Sequence, residues 1–214
     1  GYICVMVKVA IGRRREEMVR NIIFDIGNVL ADFGWRQFLL NKGFDEDMVE
    51  RLAKATVWTP YWHEFDKGEW SDEQVMQAFV SCDPEIEEEI HKGFDDVTGM
   101  VRLREYAIPW VQELREKGYG VYYLSNIAYK IHVQCGEELA FIPYMDGGIL
   151  SYQEKLVKPG EEIYNLLCQR YELKPEECVF LDDLQTNLDG AAAFGIHTIL
   201  FKNQQDAIKQ LKKL

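Results

Sequence analysis

Four short polar clusters carry residue types able to do chemistry together. Asp25 ends the apolar run Ile22-Ile23-Phe24, and Ser125-Asn126 ends Val121-Tyr122-Tyr123-Leu124. Lys158 stands just before Pro159, and Asp182-Asp183 ends Cys178-Val179-Phe180-Leu181. These clusters supply a lone carboxylate, a hydroxyl and an amide, an ammonium, and a carboxylate pair. Such a set can hold a divalent cation and a phosphoryl group against a nucleophilic oxygen. A carboxylate that attacks phosphorus splits one hard displacement into two easier ones. Carboxylate and phosphate repel each other, so a hard cation with oxygen ligands is needed between them, and Mg2+ fits. A hydroxyl, an amide and an ammonium would then hold the non-bridging oxygens as charge redistributes. Taken singly, each cluster has a plain structural explanation: a turn residue, a helix cap, a surface lysine. The adjacent carboxylates are the exception, because such a pair after a buried strand is costly unless a cation neutralises it.

The elements that must position these groups are legible as an alternation. Ile22-Ile23-Phe24 is too short and too β-branched for a helix, and Gly27-Asn28 turns the chain after it. Further strands are predicted at 121–124, 178–181 and 196–201. Helices are predicted through Val111, Leu114 and Lys117 with a stop at Gly118, at 161–171, at 188–194, and near 206–214. Strands alternating with helices imply an α/β fold, a Rossmann-like parallel sheet with right-handed crossovers. In such sheets ligands bind beyond the carboxyl ends of the strands, where the polar clusters stand.

Residues 35–106 break the rhythm. Met48, Val49, Leu52 and Ala53 recur at helical spacing, and Ser71-Asp72-Glu73-Gln74 is a capping box opening a helix through Val75, Met76 and Phe79. Asp83-Pro84 is read as the cap of a further helix through Ile86 and Ile90, ending at Gly93. The acidic run from Glu85 to Glu89 reads as a solvated helix face. The expected organisation is a core of 18–34 and 107–214 with an inserted α-helical cap domain at 35–106.

Phe24-Asp25-Ile26-Gly27-Asn28-Val29-Leu30, Leu124-Ser125-Asn126, Lys158-Pro159 and Phe180-Leu181-Asp182-Asp183 stand in the order of the four motifs of the haloacid dehalogenase (HAD) superfamily, which the chain resembles from Met18 onward. The form FDIGNVL, with Asp66-Lys67-Gly68-Glu69 in the helical block, is similar to the bacterial α-glucose-1-phosphate phosphatase subgroup. The resemblance implies Asp25 as nucleophile and metal ligand, with phosphate bound by Ser125, Asn126 and Lys158. It implies the Gly27 carbonyl and Asp183 as further Mg2+ ligands, with Asp182 behind them holding coordinated water. The activity implied is that of a phosphatase of a small phosphorylated metabolite, a sugar phosphate favoured, working through an aspartyl-phosphate.

One position departs from the pattern. Most phosphatases of the superfamily carry a second aspartate two residues after the nucleophile, to protonate the leaving group and activate water. Here that position is Gly27, which has no side chain to move a proton. General acid-base help is worth about a hundredfold to ten-thousandfold, so His63 or Glu64 of the cap, or water, is expected to supply it. A metal-independent 2-haloacid dehalogenase also lacks that aspartate, and a non-catalytic HAD-fold binding module is the remaining alternative. Trp58, Tyr61 and Trp62 read first as core of the helical block, and His91, His132 and His197 as structural or solvated.

Composition narrows the partners. A net charge of −12 opposes any long-range attraction to nucleic acid or an anionic membrane. The five cysteines are scattered without metal-ligand spacing and point to a cytoplasmic protein rather than a disulfide frame. No apolar run has the length of a membrane span. Residues 1–17, with Gly1 at the start and Met18 as a natural initiator, read as an N-terminal extension of the kind left by cloning or a misassigned start. Whether the protein is a monomer or a homodimer is left open by the sequence.

Overall fold

The computed structural model describes residues 18–214, so the extension read at 1–17 lies outside the described residues. Numbered along the chain, β1 (Asn21–Phe24), β4 (Gly120–Ser125), β5 (Gly147–Leu150), β6 (Cys178–Asp182) and β7 (His197–Leu200) form one sheet in the order β5-β4-β1-β6-β7. Every neighbouring pair in it is parallel. β2 (Ala31–Phe33) and β3 (Val101–Leu103) pair as a separate antiparallel ribbon. Between the ribbon strands lie α1 (Trp35–Asn41), α2 (Glu46–Ala55), α3 (Pro60–Lys67), α4 (Asp72–Cys82) and α5 (Glu87–Phe94). After the ribbon come α6 (Ala107–Glu116), α7 (Tyr129–Gln134), α8 (Ser151–Glu154), α9 (Glu161–Arg170), α10 (Gln185–Ala193) and α11 (Gln204–Leu211).

The central strand shows why the sheet forms where it does. Ile22 and Phe24 point into one apolar cluster and Ile23 into the other, all fully buried, so β1 is covered on both faces. A continuous apolar run is what a two-faced parallel strand requires. Each such side chain contributes about 1.5–3 kcal/mol on burial. Trp110 of α6 packs edge-on against Phe24 at 4.8 Å on one face, and Tyr164 of α9 meets Phe180 at 6.1 Å on the other.

β5 is a strand that the apolar pattern does not predict, and the reason is its glycines. A Cβ at Gly148 would sit 2.3 Å from the Tyr123 ring, and one at Gly147 would sit 2.4 Å from Tyr171. The Tyr171 hydroxyl bonds both the N–H and the carbonyl of Gly148, at 2.9 and 3.0 Å, and so occupies polar groups of an edge strand. Composition signals a loop there; tertiary close approach makes a strand.

In the helical block, the Ser71–Gln74 capping box forms as read, with bonds of 3.1 and 2.8 Å. Asp83 does not cap the next helix. Its carboxylate is held by Arg51 at 2.6 and 2.9 Å, Pro84–Ile86 makes a 3-10 turn, and α5 begins only at Glu87. A two-pronged charged bond to a guanidinium outcompetes a bond to a backbone N–H. α3 lies outside the helices that periodicity predicts; Pro60 opens it, and Gly68 closes it with φ 73°. A Cβ at Gly68 would also meet Tyr152 at 2.9 Å, so this glycine lets α3 abut α8.

Candidate active site

Register brings the clusters together. Phe24 pairs with Tyr123 on one side and Leu181 on the other, so the residues that follow each emerge at one carboxyl edge of the sheet. Above that edge lies a cavity of about 580 Å³ lined by Asp25, Gly27, Ser125, Asn126, Lys158 and Asp183 from the sheet side. The helical block supplies the opposite wall, with Val57, Trp58, Trp62, His63 and Asp66.

Lys158 is 1 % exposed, and its Nζ lies 2.9 Å from Asp25 Oδ1 and 2.7 Å from Asp182 Oδ2. Burial alone would depress its pKa, but the two carboxylates hold it above the ordinary lysine value. Asp25 is pushed up to about 7, foremost by burial; Lys158 opposes this, and Asp182 and Asp183 add to it. Oδ1 of Asp25 also accepts from the N–H of Ile26 at 2.8 Å. The Lys158–Pro159 peptide is cis.

The two carboxylates of the pair differ. Asp182 is fully buried; Oδ1 accepts from the Leu184 N–H at 2.8 Å, and Oδ2 from Lys158 and from Asn187 Nδ2 at 3.0 Å. Asp183 is half-buried and receives one long contact from Asn28 Nδ2 at 3.4 Å, which leaves oxygen lone pairs facing the cavity. Burial, then Asp182, raises its pKa. One oxygen from each of Asp25, Asp182 and Asp183 lies within 4.8 Å of the others. Three convergent carboxylates beside a single ammonium, two of them held reluctant to ionise, fit a hard divalent cation.

Ser125 is buried at the cavity floor, and its hydroxyl makes no hydrogen bond among the described residues. Asn126 behaves differently from a simple phosphate ligand: its Oδ1 accepts from the Lys158 N–H at 2.9 Å and its Nδ2 donates to the Lys158 carbonyl at 3.0 Å. Its side chain therefore clamps the backbone that presents Lys158.

Of the groups weighed for proton transfer, His63 lines the cavity from an exposed position, and Glu64 stands outside the lining. The aromatic cluster divides. Both Trp58 and Trp62 reach the cavity wall, but Trp62 is buried against Phe65, Phe79 and Phe94, whereas Trp58 is 53 % exposed. His132 bonds the Tyr152 hydroxyl, His91 faces Asp95, and His197 contacts the Glu176 carbonyl; none lines the cavity. The described cysteines are free, and those on α9 and β6, Cys168 and Cys178, are pushed up to about 11 and about 12, chiefly by burial. Among the described residues, no helix is long and apolar enough to cross a membrane.

Sequence reasoning missed three supporting groups: Asn28, Asn187 and Asp66. Asn187 bonds Asp182 from the first turn of α10; the run Asn187-Leu188-Asp189-Gly190-Ala191 resembles the helix after the fourth motif, but nothing local in it points to this side-chain bond. Asp66 is 9 % exposed, and its signal was its place in Asp66-Lys67-Gly68-Glu69.

Comparison with known proteins agrees with this architecture. Residues 19–195 match the family model "Hydrolase: haloacid dehalogenase-like hydrolase". The acyl-CoA dehydrogenase family member 10 of Mus musculus is 30% identical over 210 residues, covering 91% of this chain and 19% of that protein, so the chain spans about a fifth of its length. The D-ribitol-5-phosphate phosphatase of Bacteroides thetaiotaomicron is 29% identical over 205 residues, covering 91% of this chain and 97% of that one. Among solved structures, the HAD family enzyme bt-2542 of Bacteroides thetaiotaomicron, in complex with magnesium and inorganic phosphate, superposes with a TM-score of 0.66. It is 20% identical and covers 89% of this chain and 98% of that one, a likeness of fold. By the match over most of its length and by its fold, the chain belongs to the haloacid dehalogenase-like hydrolase family.

Proposed function

We propose that the protein is a Mg2+-dependent phosphatase of a small phosphorylated metabolite, with Asp25 as nucleophile. The observation that carries this reading is the convergence of Asp25, Asp183 and Asp182 around buried Lys158 at the carboxyl edge of the sheet. Asp25, Asp183 and the Gly27 carbonyl would hold the cation. Asp182, with both oxygens engaged, braces Lys158 and the site behind it. Bound magnesium supplies charge neutralisation between the phosphoryl oxygens and the carboxylates.

The chain's own groups do the rest. Lys158 orients the attacking Asp25 oxygen and neutralises a phosphoryl oxygen, and the Ser125 hydroxyl donates to another. Asn126 keeps Lys158 in place. The helical block at 35–106 acts as a cap that walls the cavity, and a volume of about 580 Å³ suits a small metabolite. Trp58 offers a partly exposed aromatic face on which a sugar ring or polyol chain can lie. A sugar or polyol phosphate is the favoured class, in keeping with the ribitol-5-phosphate phosphatase relative. Against the dehalogenase reading, which needs no metal, the convergence of Asp182 and Asp183 with Asp25 makes a better magnesium site than that reaction requires.

The test is a phosphate-ester panel with and without magnesium. Phosphate release that needs magnesium and disappears in Asp25→Asn supports the reading. Release that persists in Asp25→Asn, or dehalogenation that survives a chelator, overturns it.

A further inference from the structure

The phosphatase reading leaves a proton unassigned, since Gly27 has no side chain, and the helical block carries one buried carboxyl aimed at the same space. Asp66 lies in the last turn of α3, 9 % exposed, and lines the cavity. Its carboxyl makes no hydrogen bond or ion pair among the described residues, while no fully enclosed side-chain oxygen lacks a partner there. The Asp66 oxygens therefore reach the cavity surface.

The backbone around it is pinned to the sheet side. The Ser151 hydroxyl donates to the Asp66 carbonyl at 2.6 Å, and Lys155 Nζ donates to the Gly68 carbonyl at 2.6 Å. Gly68 lets this helix end approach Tyr152 more closely than any side chain would permit. Three contacts thus fix one helix terminus at the cavity that the nucleophile also lines, a degree of anchoring suited to a group that must be positioned and not merely buried.

We propose that Asp66 is the proton-transfer residue of the reaction, handing a proton to the leaving oxygen and taking one from water. This rests on the phosphatase reading. In the first step an Asp25 oxygen bonds to phosphorus and the bond from phosphorus to the leaving oxygen breaks. The departing electron pair takes the Asp66 proton, giving a neutral alcohol, an aspartyl-phosphate and an Asp66 carboxylate. In the second step water attacks phosphorus, its proton goes to Asp66, and the bond from phosphorus to Asp25 breaks. Phosphate leaves with both aspartates restored.

The environment is consistent with this role: burial pushes Asp66 up to about 8, Lys158 opposing and Asp25 adding, so the carboxyl carries its proton near neutrality. His63, the other titratable group of α3 in the cavity lining, is exposed.

Leaving-group dependence tests the assignment. Nitrophenyl phosphate releases a stable anion and needs no proton, whereas an alkyl phosphate needs one. In Asp66→Asn, kcat/KM should fall about a hundredfold to ten-thousandfold for the alkyl ester but less than about tenfold for the nitrophenyl ester. With the nitrophenyl ester, a burst of nitrophenol stoichiometric with enzyme should precede slow turnover, because hydrolysis of the aspartyl-phosphate has lost its base. Asp66→Ser should show the same split if the amide variant does not fold. An equal loss on both esters, no loss on either, or the same split in His63→Asn instead would overturn the assignment. If the parent enzyme with magnesium releases nothing from nitrophenyl phosphate, the phosphatase reading itself is what fails.

Discussion

Replacing Lys158 with Met probes the electrostatic core of the site without substrate. Methionine keeps most of the lysine's length, so packing beside Phe180, whose ring centre lies 5.2 Å from Nζ, is largely retained. What is lost is the charge. With Nζ at 2.9 Å from Asp25 and 2.7 Å from Asp182, the gross attraction is about 12 kcal/mol at an effective dielectric of about 20. Desolvation of the ammonium offsets most of that. The variant's fate is decided by the carboxylates left behind, and breaking a buried pair from one side costs about 3–5 kcal/mol. That is a large part of the total stability of about 5–15 kcal/mol expected of a domain.

The sign with pH follows from the same groups. Asp25 already sits at about 7 with Lys158 opposing the rise, so removing Lys158 raises it further. A carboxyl whose folded pKa lies above its unfolded value of 3.8 contributes stability below that value and loses it as pH rises through the folded one. The deficit of Lys158→Met should therefore be largest at pH 8 and shrink by more than half at pH 5, where the carboxyls take up protons. Urea unfolding in chelator, followed through buried Trp110, measures it at both pH values. A variant as stable as the parent at pH 8, or a deficit equal at pH 5 and pH 8, would refute this account of the site.

Three further outcomes follow from the site. Because burial pushes Asp66 up to about 8, with Asp25 at about 7 acting in the same sense, the metal-free protein should lose stability as pH rises from about 4 to about 8; Asp66→Asn should make that slope shallower by Asp66's share and stabilise the protein at pH 8 by about 1–4 kcal/mol, read by thermal melts across pH. Magnesium at roughly a hundredfold excess over its Kd should stabilise the chelated protein by about 2.7 kcal/mol, and Asp183→Asn should abolish most of that shift in a thermal melt. Gly27→Asp should fold, because a Cβ there meets only Phe33 Cβ at an ordinary 3.7 Å and the residue is not in the left-handed region. It should raise alkyl phosphate kcat/KM by up to about a hundredfold in the Asp66→Asn background; an inert double variant would show that position 27 cannot take over proton transfer.

Much of the molecule was legible before folding because its signals are local. The run Ile22-Ile23-Phe24, the Ser71–Gln74 capping box and the stop at Gly118 depend on neighbours within a few residues, and all appear as read. The order of Asp25, Ser125, Lys158 and Asp183 along the chain identified the candidate site, since each follows a predicted strand or precedes a predicted helix. What the sequence could not express was contact across distance. β5 exists because Tyr123 and Tyr171 need glycine beneath them, Asp83 fails as a cap because Arg51 reaches it, and Asn126 holds Lys158 and so supports the site indirectly. Asp66 is the clearest case: forty-one positions after Asp25, it enters the same cavity only because Gly68, Ser151 and Lys155 dock the end of α3 onto the sheet side. Residue types and their order determined which chemistry the chain could attempt. Close packing between elements far apart in sequence decided which carboxyl of the helical block shares the cavity with the nucleophile.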